Sequence, residues 1–233
     1  RYGCITGSSM IDGDYDNWES QPDIDLFVYT RPQLPYAANM LIQCYGFEPL
    51  NGGEKGKVDR LNNFEQRKKR PVDTLKVTKD GVVVNISYKD GKENIFAVLA
   101  SFDMSIIMVG YDIQMHVLLD LRCKWNNMVR EDEDNRWSTD INVAYPNPLR
   151  KQDVDMYGAE MWVRQFDRVI KYWNRGYDTR PMAEFYIKLI DKVIDTGKLF
   201  STEKGEAAFN AFVETYEPLK EKMVLWLEDK EDC

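Results

Sequence analysis

The chain has 233 residues, enough for one large domain or two small ones with a substantial core. Its composition, 43% hydrophobic and 12% aromatic, is that of a folded protein and argues against a largely disordered chain. The net charge of -8 disfavours a protein that coats nucleic acid with its whole surface, and no apolar run reaches the roughly 20 residues that span a bilayer.

The number and spacing of cysteines and histidines limit which metal sites and catalytic sites the chain can form. The four cysteines are scattered without a CxxC pair, which argues against a zinc ribbon or a dense disulfide framework and favours a reduced, intracellular setting. The single histidine, His116, excludes a catalytic histidine pair and a multi-histidine metal site, and we expect it in a strand. No signal peptide is recognisable, but the chain begins at Arg1 without Met, so a removed leader stays open.

The first half of the chain is predicted to hold strands and one helix. Residues 1–30 are typical of two strands flanking a loop, and 34–45 have the apolar spacing of a helix that ends at Gly46. Residues 47–73 are predicted to be a long polar loop or mobile flap with a basic run at 67–70. Four β-rich stretches then follow, with KDG turns after the first two: TLKV, GVVVNISY, NIFAVLASFDMSIIMVGY and HVLLDL.

Beyond about residue 150 the pattern changes, because apolar residues recur at helical spacing and no clear strand remains. We therefore predict an α+β protein with two parts. The first is a mixed-sheet domain at 1–150, and the second is a helical domain at 151–233.

The strand PDIDLFV carries two carboxylates. Because side chains alternate along a strand, Ile24, Leu26 and Val28 are expected to point into the core. Asp23 and Asp25 then share the opposite face, where like charges repel unless a divalent cation such as Mg²⁺ lies between them. The alternative is a polar strand entrance that is simply exposed to water.

A glycine-serine turn ends the first strand and presents backbone N–H groups and hydroxyls that suit a phosphate. A Gly-Ser turn followed by an Asp-x-Asp strand resembles the nucleotidyltransferase superfamily, which includes DNA polymerase β, poly(A) polymerases and CCA-adding enzymes. The resemblance implies that Asp23 and Asp25 hold two Mg²⁺ or Mn²⁺ ions. It also implies that Gly7, Ser8 and Ser9 hold the β- and γ-phosphates of a nucleoside triphosphate.

A second stretch supports the resemblance. SFDMSIIMVGYD, Ser101–Asp112, is similar to the RRDFTINALAYD strand of CCA-adding enzymes and to FDFTINQ in related viral and phage proteins. The resemblance implies that Asp103 either binds metal as a third carboxylate or positions the nucleotide. A strand whose single acid faces solvent is the alternative. Ala100 and Ser101 stand where the CCA-adding enzymes have two arginines, which leaves the nucleotide contact of those arginines without a counterpart.

A helix predicted around 159–178 has two faces. Its apolar stripe is formed by Trp162, Phe166, Val169 and Trp173. The opposite, basic strip is formed by Arg164, Arg168, Lys171 and Arg175. The stretch is similar to the LRILRAVRFAARLGF helix that follows the catalytic head of CCA-adding enzymes, which implies that these cations bind nucleotide phosphates or an RNA end. The alternative is a solvated face of an ordinary helix.

Taken together, the resemblance implies an enzyme that transfers a nucleoside monophosphate from a triphosphate, ATP among the candidates, to an acceptor hydroxyl and releases pyrophosphate. The acceptor is an RNA 3′ end, a protein or a small molecule. An inactive nucleotide-binding or structural protein with the same fold is the first alternative, and a β-rich binding module with a helical tail is the second. No membrane partner is expected, and the expected location is the cytoplasm, that of the host cell for a phage or viral protein.

Overall fold

The computed structural model describes residues 3–7, 10–11, 23–50, 72–122, 141–147, 156–197 and 203–231. The chain divides into two compact units, which we call the sheet unit (1–102 and 107–122) and the helical unit (103–106 and 123–233). The predicted α+β class with a mixed sheet and a C-terminal helical part is confirmed. The predicted boundary at residue 150 lies outside the described residues.

The sheet unit is built on one seven-stranded sheet with the order β3-β4-β5-β2-β1-β6-β7. Its strands are β1 (Cys4–Thr6), β2 (Ile24–Val28), β3 (Glu48–Pro49), β4 (Val72–Lys79), β5 (Val82–Lys89), β6 (Val109–Asp112) and β7 (Val117–Asp120). Strands β2 and β5 pair in parallel, and every other neighbouring pair is antiparallel. The central strand of the seven is therefore β2, the strand that carries the Asp-x-Asp sequence.

Two of the predicted turns fix this arrangement. β4 and β5 form a hairpin through Asp80 and Gly81, which have φ values of 50° and 84°, as a tight two-residue turn requires. Helix α1 (Gln33–Tyr45) ends as predicted at Gly46, whose φ of 73° lets its amide and the next one bond back to the last turn. Helix α1 packs its buried Leu34 and Ala38 against Val28 and the inner sides of β4 and β5.

The stretch from 95 to 108 is not the strand that its composition predicts. Helix α2 (Ile95–Leu99) begins there because the side-chain oxygen of Asn94 accepts the amide of Ala97 at 2.9 Å, which satisfies an N-terminal donor of the helix. A short 3₁₀ helix follows at Ser105–Ile107, so only Val109–Asp112 joins the sheet. Asp103 thus lies in an irregular segment, and local capping overrides the β-propensity of the sequence.

The histidine also departs from its expected place. His116 lies in the turn before β7 with a φ of 53°, and its Nδ1 is 2.9 Å from the hydroxyl of Tyr111. It is therefore a turn residue one position before β7, and its predicted place in the strand is wrong.

A buried polar cluster ties β6 to the end of β2. The hydroxyl of Tyr29 donates to Oδ2 of Asp112 at 2.5 Å, while the amides of Gln114 and Met115 donate to Oδ1 at 2.9 and 2.8 Å. Burial alone would raise the pKa of Asp112, but these hydrogen bonds outweigh it and hold the pKa below its ordinary 3.8. The adjacent Cys4 is fully buried, and burial raises the pKa of its thiol to about 12.

We expect Tyr29→Phe to lower the free energy of unfolding by about 2 kcal/mol at neutral pH, since a buried carboxylate loses its hydroxyl donor. A depressed folded-state pKa contributes stability that is complete above the unfolded value and is lost as the pH falls through the folded one. The difference between the variant and the parent should therefore shrink below pH 3.8. Urea unfolding between about pH 3 and 7 measures it.

The matched control is Tyr88→Phe, because the hydroxyl of Tyr88 also donates to a carboxylate, Asp90 Oδ1 at 3.0 Å, but at an exposed site. Its cost should stay within about 0.5 kcal/mol. Equal losses in the free energy of unfolding for the two variants would show that the buried hydrogen bond stabilises the fold no more than the exposed one.

The helical unit contains α3 (Met156–Val163), α4 (Phe166–Trp173), α5 (Arg180–Gly197) and α6 (Glu203–Glu231). Most of the predicted apolar stripe is in its core: Trp162, Phe166 and Val169 are buried, and Trp173 is half-buried. The ring of Trp226 on α6 packs edge-on against Phe166 and Trp173. The predicted single helix is broken at 164–165, however, so Arg164 and Arg168 do not share one helix.

Candidate functional site

The two faces of β2 are divided as the alternation predicts. Val28 is buried in the core beneath α1, and Ile24 and Leu26 pack against the same cluster. The side chains of Asp23 and Asp25 lie on the other face, where Asp23 is exposed and Asp25 is half-buried. The structure therefore brings the two predicted carboxylates together on the face opposite α1, with Asp25 in β2 and Asp23 directly before it.

Asn85 joins the two carboxylates. It lies on β5 directly opposite Asp25 in the parallel register. Its side-chain Nδ2 donates to Oδ2 of Asp23 at 3.2 Å and to Oδ1 of Asp25 at 3.0 Å. One amide thus holds both carboxylates in place and partly offsets the repulsion between two negative charges.

Our sequence reasoning missed Asn85, although a signal was present. In VVVNISY a single amide interrupts an otherwise apolar strand, and its place in the alternation puts it on the polar face. The partner strand could not be foreseen, because parallel pairing between β2 and β5 is set by the whole topology. The Oδ1 atom of Asn85 is buried and has no hydrogen-bond partner in the described part of the chain.

The glycine turn lies against the carboxylate of Asp25. Gly7 has a φ of 81°, and a Cβ built on it would come within 2.5 Å of Oδ2 of Asp25. The amide of Met10 donates to the carbonyl of Gly7 at 3.1 Å and closes the turn. A side chain at position 7 is therefore excluded both by backbone conformation and by the carboxylate. Ser8 and Ser9, the predicted phosphate ligands, lie outside the described residues.

Asp103 belongs to the helical unit, where it is 2% exposed. Both of its carboxylate oxygens accept hydrogen bonds from Nη1 of Arg168, at 2.7 and 2.8 Å, and its carbonyl accepts the amide of Asn147 at 2.9 Å. Burial alone would lower the pKa of Arg168, but the charge of Asp103 outweighs it and raises that pKa. Two predicted site residues, Asp103 and Arg168, are thus partners in an ion pair.

The other predicted cations have different surroundings. Arg164 is 67% exposed, lies between α3 and α4, and has Nη2 3.6 Å from Oε2 of Glu160. Lys171 is exposed on α4, with Nζ 5.9 Å from the ring centroid of Tyr172. Arg175 also approaches that ring, at 5.6 Å. Only Arg168 and Lys171 remain on one helix, so the continuous basic strip expected from the sequence is divided.

Three findings bear on the class of the protein. Neither a family model nor a curated protein matches the chain. Among the described residues, no group of three or more histidine, cysteine, aspartate or glutamate side chains is placed to hold a metal ion. No helix in the described ranges is long and apolar enough to cross a membrane.

Replacing the amide between the carboxylates tests its role. We expect Asn85→Asp to lower the free energy of unfolding by about 1–3 kcal/mol without divalent ions, because a third negative charge replaces a shared donor. Addition of Mg²⁺ should restore much of that loss, since hard oxygen ligands bind it. Urea unfolding with and without Mg²⁺ measures both effects.

Asn94→Asp is the control with the same chemical change. Asn94 caps α2 through its side-chain oxygen, a position at which aspartate serves equally well and suits the helix dipole. Its stability should be unchanged or slightly raised, with no response to Mg²⁺. A similar loss in the free energy of unfolding for both variants would mean that repulsion from Asp23 and Asp25 does not cause the effect at Asn85.

Proposed function

We propose that the protein is a metal-dependent nucleotidyltransferase that transfers a nucleoside monophosphate from a nucleoside triphosphate to an acceptor hydroxyl. The observation that carries the proposal is the placement of Asp23 and Asp25 side by side on the central strand, with Asp25 against the turn at Gly7. The likeness of the Gly-Ser turn and Asp-x-Asp strand to the nucleotidyltransferase superfamily supports it.

The donor groups in this cluster fit Mg²⁺ or Mn²⁺. The ligands that it offers are the carboxylate oxygens of Asp23 and Asp25, which the amide Nδ2 of Asn85 holds near one another. Hard divalent cations prefer such ligands, and Mg²⁺ takes one or two protein carboxylates together with substrate phosphates. Bound there, the ions would neutralise charge on the triphosphate and on the leaving pyrophosphate. Asp23 and Asp25 would hold them, and Asn85 would fix the direction of both carboxylates.

The proposed reaction is an in-line displacement. The acceptor oxygen forms a bond to the α-phosphorus and loses its proton, while the bond from that phosphorus to the bridging oxygen breaks and pyrophosphate leaves. Gly7 lets the turn lie directly against Asp25, because a Cβ at this position would come within 2.5 Å of Oδ2 of Asp25. Ser8 and Ser9 would donate to its phosphates, and Arg164, Arg168 and Lys171 are the proposed cations for phosphate or an RNA end.

The acceptor is proposed as an RNA 3′ end, a protein or a small molecule, in the cytoplasm of the cell or of a phage or viral host. A net charge of -8 leans against a long nucleic acid, whose binding needs many cationic contacts. Salt distinguishes the acceptors: binding that weakens steeply between about 50 and 200 mM salt indicates RNA.

The test is thermal stability with ATP, CTP, GTP or UTP, with and without Mg²⁺, for the parent and for Asp23→Asn combined with Asp25→Asn. Because a ligand that binds only the folded state raises its melting temperature, the parent should shift only with metal and nucleotide together. The double variant should not shift. A well-folded parent that responds to none of the four nucleotides would overturn the proposal.

A second candidate is a protein that binds nucleotide or acts as a scaffold without catalysis. The neutral amide of Asn85 beside the pair favours it, because no third carboxylate joins Asp23 and Asp25 among the described residues. Metal-dependent nucleotide binding without pyrophosphate release, with RNA, protein and small-molecule acceptors all supplied, would support this candidate.

A further inference from the structure

The two edges of the sheet are built differently. β3 has two residues, one of which is Pro49, and short proline-containing edges resist pairing with other chains. β7 has four residues without proline or lysine. Leu118 is 62% exposed and Val117 48% exposed, and Met115 in the preceding turn is 68% exposed. The sequence thus protects one edge and leaves the other apolar and open.

The backbone of β7 presents hydrogen-bonding groups on its outer side. The amide of Leu121 donates to the carbonyl of Met108, in the same register that pairs β7 with β6. Since bonding alternates along an antiparallel strand, the odd-numbered residues of β7 bond to β6. The amides and carbonyls of Leu118 and Asp120 therefore point away from β6, and no other strand in the described ranges pairs with β7.

Charge does not block this edge, although the chain carries a net charge of -8. Asp120 is the one charged residue of β7, and its carboxylate is paired with Arg122, whose Nη2 is 2.6 Å from Oδ2. The edge is therefore locally neutral, so that two copies can approach one another here without the repulsion that a free carboxylate would cause.

We propose that β7 is a self-association edge that pairs antiparallel with β7 of a second copy about a two-fold axis. Two-fold pairing is self-complementary, so one strand supplies both partners. The register that uses all outward groups sets Leu118 opposite Asp120 of the second copy and Leu119 opposite Leu119. Both backbone groups of each outward residue are then bonded. Because β7 has only four residues, strand pairing should bury less than the roughly 1,200 Å² of stable interfaces, and we expect a weak dimer with a dissociation constant on the order of 10–100 μM.

Sedimentation from about 1 μM to 1 mM, well either side of that constant, tests the proposal. The parent should approach twice 27.3 kDa at the highest concentrations. Leu118→Asp should raise the dissociation constant at least tenfold, because it sets a second carboxylate directly opposite Asp120 of the other copy. Leu225→Asp is the control, since Leu225 is equally exposed, at 64%, on α6. A parent that stays at 27.3 kDa throughout, or equal weakening by both variants, would overturn the proposal.

Cross-linking tests the register. Opposed, non-hydrogen-bonded residues of an antiparallel pair have Cα atoms about 4.5 Å apart, within the range of a disulfide. Leu119→Cys should therefore form a covalent dimer under mild oxidation, beyond any formed by the native cysteines of the parent. Leu118→Cys should not, because the two copies of that residue are offset beyond the roughly 7 Å limit. Cross-linking at position 118 but not at 119 would contradict this register.

Discussion

Asp25→Asn should reduce the rate of pyrophosphate release by about 10³-fold or more, while leaving the protein folded. The variant keeps the shape of the side chain and its acceptor oxygen for Asn85 but removes one of two charges that would hold the ion. A loss of about 4 kcal/mol in transition-state stabilisation, as expected for a metal ligand, corresponds to that factor. Relief of repulsion with Asp23 should leave the free energy of unfolding equal or slightly higher.

The measurement combines pyrophosphate release, with RNA and protein acceptors present, and the melting temperature without ligand. Asp90→Asn supplies the control, because Asp90 is an exposed carboxylate directly after β5 that accepts the hydroxyl of Tyr88 and lies outside the proposed site. It should retain the parent rate. Full activity of Asp25→Asn would remove Asp25 from the proposed metal site and with it the main support for the proposed function.

Asp103→Ala should lower the free energy of unfolding by about 2–4 kcal/mol. Removing the carboxylate leaves the guanidinium of Arg168 without its partner, and a stranded charge costs several kcal/mol when it is buried. The side chain of Arg168 is 35% exposed, which reduces the cost from the fully buried value because water screens part of the charge. Chemical denaturation of the whole chain measures the loss.

Arg168→Met combined with Asp103→Ala provides the internal control, since a cycle of these two single variants and the double variant isolates the pairwise energy. The double variant should be more stable than Asp103→Ala, because no unpaired charge remains. Glu160→Ala, which breaks the exposed pair with Arg164, should cost less than about 1 kcal/mol. A loss at Asp103 no larger than at Glu160 would mean that the ion pair does not stabilise the fold.

Periodicity in the sequence was a good guide to the carboxylate face and to the turns. The alternation in β2 separated Asp23 and Asp25 from Ile24 and Leu26, since the period of a strand allows only two faces. Gly46 and the KDG turn at Gly81 marked the ends of elements, because their positive φ is a local requirement. Such features depend on neighbouring residues and can be predicted from one chain.

Features that depend on distant pairing were not predictable. Asn85 reaches Asp25 only because β5 lies beside β2, and no local signal sets that neighbour. Asp103 was expected in a strand, but the cap at Asn94 starts a helix upstream of it. The carboxylate of Asp103 then pairs with Arg168, which lies 65 residues further along the chain. Arg164 and Arg168 were expected on one face of a single helix, but a break at 164–165 places Arg164 outside the helix that carries Arg168.

The central position of β2 has a consequence for how durable the carboxylate pair is. Three strands lie on each side of it, so its backbone bonds are exposed to water only when a large part of the sheet opens. Amide hydrogens of β2 should therefore exchange with solvent among the slowest in the sheet unit, and those of β3 and β7 among the fastest. Fraying at either edge leaves Asp23 and Asp25 in place, and the pair keeps its geometry for as long as the sheet unit stays folded.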